Sequence, residues 1–156
     1  MDRLERLEAI EEIRSLKARY FRLMDTKQWD ELRGLFAADL KVLTPEGKVH
    51  AEGGDAWAAA LRRSLTHAVS CHQGLAGEVG IDDDGPDGEP LAHAIWAMQD
   101  IITWEDRHPD TGWKSILGRG HYHETYRREG GQWRIATLML TRLSLDITWP
   151  EGHQCR

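Results

Sequence analysis

The chain has 156 residues, the length of a single domain, and its 40% hydrophobic and 29% charged residues are typical of a globular protein. No segment approaches the roughly 20 apolar residues of a membrane-spanning helix, and no apolar leader precedes the first charged residues, so we expect a cytoplasmic protein without membrane contact. The net charge of −6, with no run of lysine or arginine, argues against a nucleic acid partner.

The first half of the chain predicts helices. Over residues 4–24, apolar side chains recur every three or four positions among charged ones, which indicates an amphipathic helix. A break at residues 25–27 separates it from a shorter helix over 29–36. A third helix is predicted over about 55–67, with Asp55 as its N-cap.

Strand patterns surround and follow the third helix. Two short strands are predicted over 40–44 and 48–51, and the second half carries longer ones near 77–81, 91–104, 113–128 and 133–147, separated by turns rich in Gly and Asp. Helices followed by hairpin strands predict an α+β fold in which the helices cover one face of a curved, mostly antiparallel sheet. The space between the two layers would form a pocket for an apolar molecule.

No repeat, low-complexity tract or linker divides the chain, so residues 1–156 are expected to form one domain. The two cysteines, Cys71 and Cys155, lie far apart and match neither a redox nor a zinc-ligand spacing. We therefore expect no disulfide framework, and we interpret Cys71 as a small packing residue or as a residue without a role in the chemistry.

The predicted strand over 91–104 places a carboxyl group in an apolar row. Its even positions include Trp96 and Met98, which are candidates for substrate contact, and Asp100. A buried carboxylate is costly unless it is paired or protonated, and desolvation raises its pKa, so Asp100 is a candidate proton donor. The alternative is structural: Asp100 would pair with an arginine or a backbone N–H, or a bulge would shift the parity of the strand.

Three further candidates have strong structural alternatives. Asp25 and Gln28 have the spacing of a capping box for the second helix. Tyr20 is readily explained as a core aromatic residue whose hydroxyl finds a nearby partner. His72 lies in a short polar stretch ahead of a strand, where a structural histidine is common.

His121 and His123 lie on one side of a predicted strand, a spacing that also occurs at metal sites such as cupin-like centres. The acidic ligand expected a few residues later is missing, because Thr, Tyr and two Arg residues follow. We therefore predict no metal, and we expect one or both histidines to line the pocket or to contact a neighbouring subunit.

Several segments together resemble the SnoaL-like branch of the NTF2-like superfamily over nearly the whole chain. They are Tyr20 with Asp25, the His72-Gln73-Gly74 step, and the segments 95–100, 120–126 and 133–143. Within that branch the sequence looks most like the bile-acid 7α-dehydratase group, with scytalone dehydratase and the lindane dehydrochlorinase as more distant relatives. The resemblance implies a cone-shaped α+β fold, an apolar cavity closed by helices, and chemistry without a metal or organic cofactor.

The resemblance also implies roles for individual residues. His72 would be the base that removes a C–H proton next to a carbonyl group, and Asp25 would hold its ring. Tyr20 would donate a hydrogen bond to the enolate oxygen, and Asp100 would protonate the departing hydroxyl. Arg142 matches less closely, as a substrate-binding residue.

The implied function is a dehydratase acting on a small apolar carbonyl-containing substrate, steroid-like or polycyclic and aromatic. One alternative is an isomerase or cyclase that uses the same His–Asp base. Another is a non-catalytic ligand-binding module, or a protein like the small subunit of a ring-hydroxylating dioxygenase. Relatives commonly cover an apolar outer sheet face with another copy, so we expect a homo-oligomer, with a trimer ahead of a dimer.

Overall fold

A computed structural model describes residues 1–85 and 88–151 of the chain. Within these ranges the helices are α1 (Arg3–Asp25), α2 (Trp29–Arg33) and α3 (Gly54–Leu65). The strands are β1 (Phe36–Leu43), β2 (Val49–Glu52), β3 (Ala68–Asp82), β4 (Leu91–Trp104), β5 (Ser115–Glu129) and β6 (Gln132–Thr148). These strands form a sheet in the order β2-β1-β6-β5-β4-β3, antiparallel except for the parallel β1–β6 pair. The predicted α+β fold, with helices packed on a curved and mostly antiparallel sheet, is confirmed.

Helix α1 forms where the periodicity predicts it. A capping box between Asp2 and Glu5 satisfies free N–H groups of its first turn. Its apolar stripe, which includes Ile13, Leu16 and Tyr20, is buried, and the helix packs against β3. Within the described residues, no helix is long and apolar enough to cross a bilayer.

Alternation along the long strands separates the two faces of the sheet. In β4 and in β5 up to residue 126, most even-numbered side chains are buried and the odd-numbered ones are more exposed. The buried face, turned toward the helices, is the inner face of the sheet, and the opposite one is its outer face. This alternation places Asp100 and Tyr122 on the inner face.

A β-bulge in β6 changes the parity of that strand. Gly120 pairs with Arg142 while Arg119 pairs with Ser144, which leaves Leu143 between them with 76% of its surface exposed. As a consequence, Arg142 and Leu145 both lie opposite inner-face positions of β5. Before the bulge the inner-face residues of β6 are the even-numbered Leu138, Leu140 and Arg142, and after it they are odd-numbered, beginning with Leu145.

The structure corrects several predicted boundaries. Strand β3 begins at Ala68 rather than near residue 77, because the polar stretch around His72 pairs continuously with β4. The second helix ends at Arg33, and Phe36 already belongs to β1. Asp55 is not the N-cap of α3: Gly53, with φ of 94°, takes that place, and the Asp55 carboxylate binds Arg33. Part of the predicted turn between β3 and β4, at 86–87, and Cys155 lie outside the described residues.

Candidate active site

A cavity of about 400 Å³ lies between the helices and the inner face of the sheet. Aromatic side chains, among them Trp57, Trp104 and Trp113, form much of its wall. Four of the polar residues singled out from the sequence also border it, namely Tyr20, His72, Asp100 and Arg142. The fold thus brings residues from α1, β3, β4 and β6 to one apolar space.

The Asp25 carboxylate holds the imidazole of His72. His72 Nδ1 lies 2.6 Å from Asp25 Oδ1, and the backbone N–H of His72 donates to Asp25 Oδ2 at 2.8 Å. Because a carboxylate accepts the Nδ1 proton, the lone pair of the ring is on Nε2. The His72 side chain is buried against the cavity, so a basic nitrogen is fixed inside it.

Asp25 stays ionised in this arrangement. Its burial would raise the pKa of the carboxyl group, but hydrogen bonds from the side chain and backbone of His72 and from Ser70 outweigh burial and lower the pKa. Ser70 Oγ donates to Asp25 Oδ1 at 2.8 Å, and Lys27 Nζ lies 2.8 Å from Ser70 Oγ. The capping-box interpretation of Asp25 is wrong, since its carboxylate faces β3 while α2 begins after Gln28.

Asp100 forms a buried ion pair with Arg142. The two carboxylate oxygens accept hydrogen bonds from Arg142 Nη1 at 2.8 Å and Nη2 at 2.7 Å, and Asp100 is 2% exposed. Gly118 leaves the space for this pair, because a Cβ atom there would overlap both charged groups. The structural alternative, pairing with an arginine, is what the structure contains, and it does not favour the predicted role of Asp100 as a proton donor.

Two tyrosine side chains line the same cavity as His72. Tyr20 and Tyr122 both border the cavity, with ring centroids 6.1 Å apart in an edge-to-face arrangement. Burial raises the pKa of both hydroxyl groups, so both carry their protons at neutral pH and can donate hydrogen bonds. Sequence reasoning missed Tyr122, although strand alternation places it on the inner face between the two histidines that drew attention.

The buried side chain of Lys17 contacts the rings of both tyrosines. Lys17 Nζ lies 2.6 Å from Glu124 Oε1 and 3.7–4.5 Å from the ring centroids of Tyr20, Phe21 and Tyr122. Desolvation lowers the pKa of Lys17, and the Glu124 carboxylate opposes that effect. The sequence could have indicated this burial, because Lys17 lies one turn before Tyr20 on the buried stripe of α1.

Four predicted substrate-binding residues lie away from the cavity wall. His121 and His123 are on the outer face of the sheet, where His123 Nε2 is 3.1 Å from Thr141 Oγ1. Because they occupy odd positions of β5, they do not line the cavity, and the alternative contact with a neighbouring subunit stays a prediction. Within the described residues, no group of three or more His, Cys, Asp or Glu side chains could hold a metal ion.

Trp96 and Met98 are on the inner face but serve the core rather than the cavity. Trp96 Nε1 donates to the hydroxyl of Tyr126 at 3.0 Å. The sulfur of Met98 lies 3.7 Å from Arg142 Nη1 and packs against the guanidinium group. Their predicted contact with substrate is therefore corrected to a packing role beside the cavity.

Comparisons with known proteins agree with this fold. The family described as SnoaL-like domain matches residues 5–139 of the chain. Among curated proteins, the probable cyclase FGR4 of Gibberella zeae is 27% identical over 146 residues, which cover 87% of this chain and 92% of that protein.

Solved structures with the same architecture include two bacterial proteins. A protein of Novosphingobium aromaticivorans, provisionally named a scytalone dehydratase, is 20% identical with a TM-score of 0.68, over 95% of this chain and 96% of its own. Hexachlorocyclohexane dehydrochlorinase LinA-type3 of Novosphingobium barchaimii is 17% identical with a TM-score of 0.71, over 99% of both chains. At these identities the likeness establishes the shared fold.

Proposed function

The chain belongs to the SnoaL-like domain family, and from this premise we propose that it is a cofactor-independent lyase. It removes a C–H proton next to a carbonyl group and eliminates a hydroxyl group as water. The observation that carries the proposal is the His72–Asp25 pair, whose free ring nitrogen borders an apolar cavity. An imidazole held in one tautomer inside a cavity is suited to general base catalysis.

The first step is removal of the proton. His72 Nε2 takes it from the carbon next to the substrate carbonyl, and the negative charge of Asp25 stabilises the imidazolium that forms. A positioned base of this kind contributes roughly 10²–10⁴-fold to the rate. Asp25 also fixes the ring orientation, because it accepts hydrogen bonds from both the ring and the backbone of His72.

Negative charge then develops on the carbonyl oxygen. The hydroxyl groups of Tyr20 and Tyr122 are protonated and border the same cavity as His72, and we assign them to that oxygen. Donors that are already oriented stabilise charge that appears in the transition state without reorganising. This assignment extends the predicted role of Tyr20 to a pair of tyrosines.

The second step is departure of the hydroxyl group. The His72 imidazolium returns its proton to the leaving oxygen, so that one C–H and one C–O bond break, a C=C bond forms and water leaves. Arg142 borders the cavity and donates to this oxygen, while Asp100 holds the guanidinium in place. The proposal thus transfers the leaving-group role from Asp100 to His72 and Arg142.

The size and lining of the cavity support fused-ring substrates. Its volume of about 400 Å³ is near the lower end of the roughly 300–1,000 Å³ found for small-molecule pockets. The walls of Trp57, Trp104 and Trp113 offer flat apolar surfaces to such rings. The names of the two structural neighbours, a dehydratase and a dehydrochlorinase, both denote eliminations and support a lyase.

A cyclase or isomerase is the second candidate, favoured by the similarity to the probable cyclase FGR4. The same base would form the same enolate. The reaction would then end in ring closure or double-bond migration, and no leaving group would depart. The two candidates therefore share His72 and differ in the fate of the enolate.

Proton exchange in heavy water tests the shared step. 1-Tetralone, a bicyclic ketone, should gain deuterium next to its carbonyl with the wild-type protein and lose that gain with His72→Gln. His67→Gln, a change at an exposed histidine, is the matched control and should behave as wild type. Equal exchange in wild type and His72→Gln would overturn the proposal.

The elimination itself needs a second substrate. 3-Hydroxy-1-tetralone has a hydroxyl group β to the carbonyl, and loss of water gives a conjugated product that ultraviolet absorbance detects. Turnover of this compound by wild type supports the lyase. Exchange of 1-tetralone without turnover of the hydroxy ketone would instead support the isomerase or cyclase.

A further inference from the structure

A second polar pair lies on the cavity wall formed by α3 and the loop between β4 and β5. Ser64 and His108 both border the cavity, and Ser64 Oγ lies 2.9 Å from His108 Nε2. Trp104 Nε1 donates to the backbone carbonyl of Ser64 at 2.7 Å and holds the end of α3 against β4. The mechanism above uses none of these polar groups.

The backbone of the loop sets the tautomer of His108. His108 Nδ1 accepts hydrogen bonds from the backbone N–H groups of Asp110 at 3.0 Å and Thr111 at 3.1 Å. Since Nδ1 is an acceptor, the ring proton is on Nε2 and is donated to Ser64 Oγ. Burial lowers the pKa of His108, Asp110 opposes this shift and Arg63 adds to it, so the ring is neutral at pH 7.

This tautomer excludes a serine nucleophile. In a Ser–His nucleophile pair, Nε2 accepts the serine proton while Nδ1 donates to an acid group. In the present pair Nε2 donates to the serine oxygen, so Ser64 keeps its own proton. Among the described residues, no hydrogen bond is found for that proton, and it can be offered to a molecule in the cavity.

We propose that the Ser64 hydroxyl donates a hydrogen bond to a second oxygen of the substrate, away from the carbon that His72 deprotonates. This inference rests on the proposed function and narrows its substrate class to fused-ring ketones with a further hydroxyl or carbonyl oxygen. A ligand without that oxygen covers the half-buried Ser64 hydroxyl and leaves its proton without a partner. We expect such a ligand to bind about 10-fold more weakly.

Contacts within the protein position the subsite. Arg63 of α3 donates two hydrogen bonds to the carboxylate of Asp110 in the loop between β4 and β5, at 2.6 and 2.7 Å. The ring of His108 packs edge-to-face on Trp104, with centroids 4.9 Å apart. A donor fixed in this way loses little conformational entropy on binding, so its preference for an oxygen should appear in the affinity.

Matched ligands test the subsite without any chemistry. The dissociation constants of 1-tetralone and of its 5-, 6- and 7-hydroxy derivatives are measured by quenching of tryptophan fluorescence, since tryptophan rings line the cavity. Wild type should bind at least one hydroxy derivative about 10-fold more tightly than 1-tetralone. Ser64→Ala should bind all of them alike, and should bind 1-tetralone at least as tightly as wild type does, because no hydroxyl is left without a partner.

Two further variants complete the test. Ser64→Thr keeps a hydroxyl group and should retain the preference for a hydroxy derivative. Ser15→Ala removes a serine hydroxyl from the exposed face of α1 and should match wild type. A preference that survives in Ser64→Ala, or its absence in wild type for every derivative, would overturn the subsite. Failure of proton exchange with the binding preference intact would instead overturn the proposed function alone.

Discussion

His72 and His108 border one cavity with opposite ring tautomers. His72 donates its Nδ1 proton to Asp25 and leaves Nε2 as an acceptor, whereas His108 accepts at Nδ1 and donates from Nε2 to Ser64. One ring can therefore take a proton from a ligand and the other cannot. The cavity has a basic position and a donor position, which together would orient a substrate that carries oxygens at both ends.

Replacing Asp25 by asparagine should lower the rate of 1-tetralone exchange by about 10²–10⁴-fold. The amide keeps the size of the side chain but can offer an N–H to His72 Nδ1, which favours the tautomer with the proton on Nε2. Deuterium incorporation followed by mass spectrometry measures the effect. Asp30→Asn, at an exposed position of α2, is the control, and a wild-type rate in Asp25→Asn would remove Asp25 from the mechanism.

Gly118→Ala should disturb the leaving-group side of the site. The new methyl group would overlap Arg142 Nη1 and Asp100 Oδ1, so the ion pair must move apart. We expect a loss of about 1–3 kcal/mol in the free energy of unfolding, as for other overpacked cores, together with reduced turnover of 3-hydroxy-1-tetralone. Urea unfolding and absorbance assays measure the two effects.

The control for that change is Gly34→Ala. Gly34 has the right-handed helical conformation at the end of α2, and the nearest atom to an added Cβ is the carbonyl oxygen of Glu31 at 3.1 Å. This variant should keep wild-type turnover. If Gly118→Ala also keeps wild-type turnover and stability, the close contact between Gly118 and the ion pair does not contribute to either, and the prediction is wrong.

Local patterns predicted the fold well and the site in part. The periodicity of α1 and the alternation of β4 placed Tyr20 and Asp100 on the buried side, because burial follows the geometry of a single element. The contact between Asp25 and His72 joins residues 47 positions apart, and only the family resemblance indicated it. Periodicity within one element carries no information about such pairs.

The residues that sequence reasoning missed share a physical reason. Ser64 and His108 meet because α3 ends beside a loop, and a loop conformation follows from its own hydrogen bonds rather than from a repeat. For Arg142, which only the family resemblance indicated, parity was no guide, because the bulge at Leu143 reverses the parity within β6. The error at His121 and His123 was the choice of face, since their parity opposes that of Tyr122.

The stability of the protein should depend on pH through His108. Its pKa in the fold lies below the ordinary value of 6.5, so the folded state binds protons less readily than the unfolded chain. This contribution is fully present above about pH 6.5 and is lost as the pH falls through the folded pKa. His108→Gln should remove it, so the difference in unfolding free energy between wild type and variant should shrink below pH 6.5. A difference that is constant from pH 8 to 5 would contradict this sign.

Lys17→Met should destabilise the protein strongly. It leaves the Glu124 carboxylate buried beside apolar rings, and removal of one partner of a buried ion pair costs about 3–5 kcal/mol. The double variant Lys17→Met with Glu124→Gln should regain much of that loss, because no charge is left buried and the amide oxygen can still accept from Tyr126. Urea unfolding measures both, and a double variant as unstable as the single one would show that the lysine acts through its aromatic neighbours.

We expect the outer face of the sheet to bind another copy of this chain, as a trimer or a dimer. The exposed apolar side chains Val69, Leu75, Ile95 and Ile101 lie on β3 and β4, and Ile101 pairs with Cys71 and Leu117 in the adjacent strands. Exposed apolar side chains gathered on one sheet face often mark an interface. Light scattering at micromolar concentration should give a mass of two or three chains of 17.8 kDa, and the double variant Val69→Lys with Ile101→Lys should reduce it to one. A monomeric wild type would refute the interface, and unchanged assembly of the double variant would place it elsewhere on the molecule.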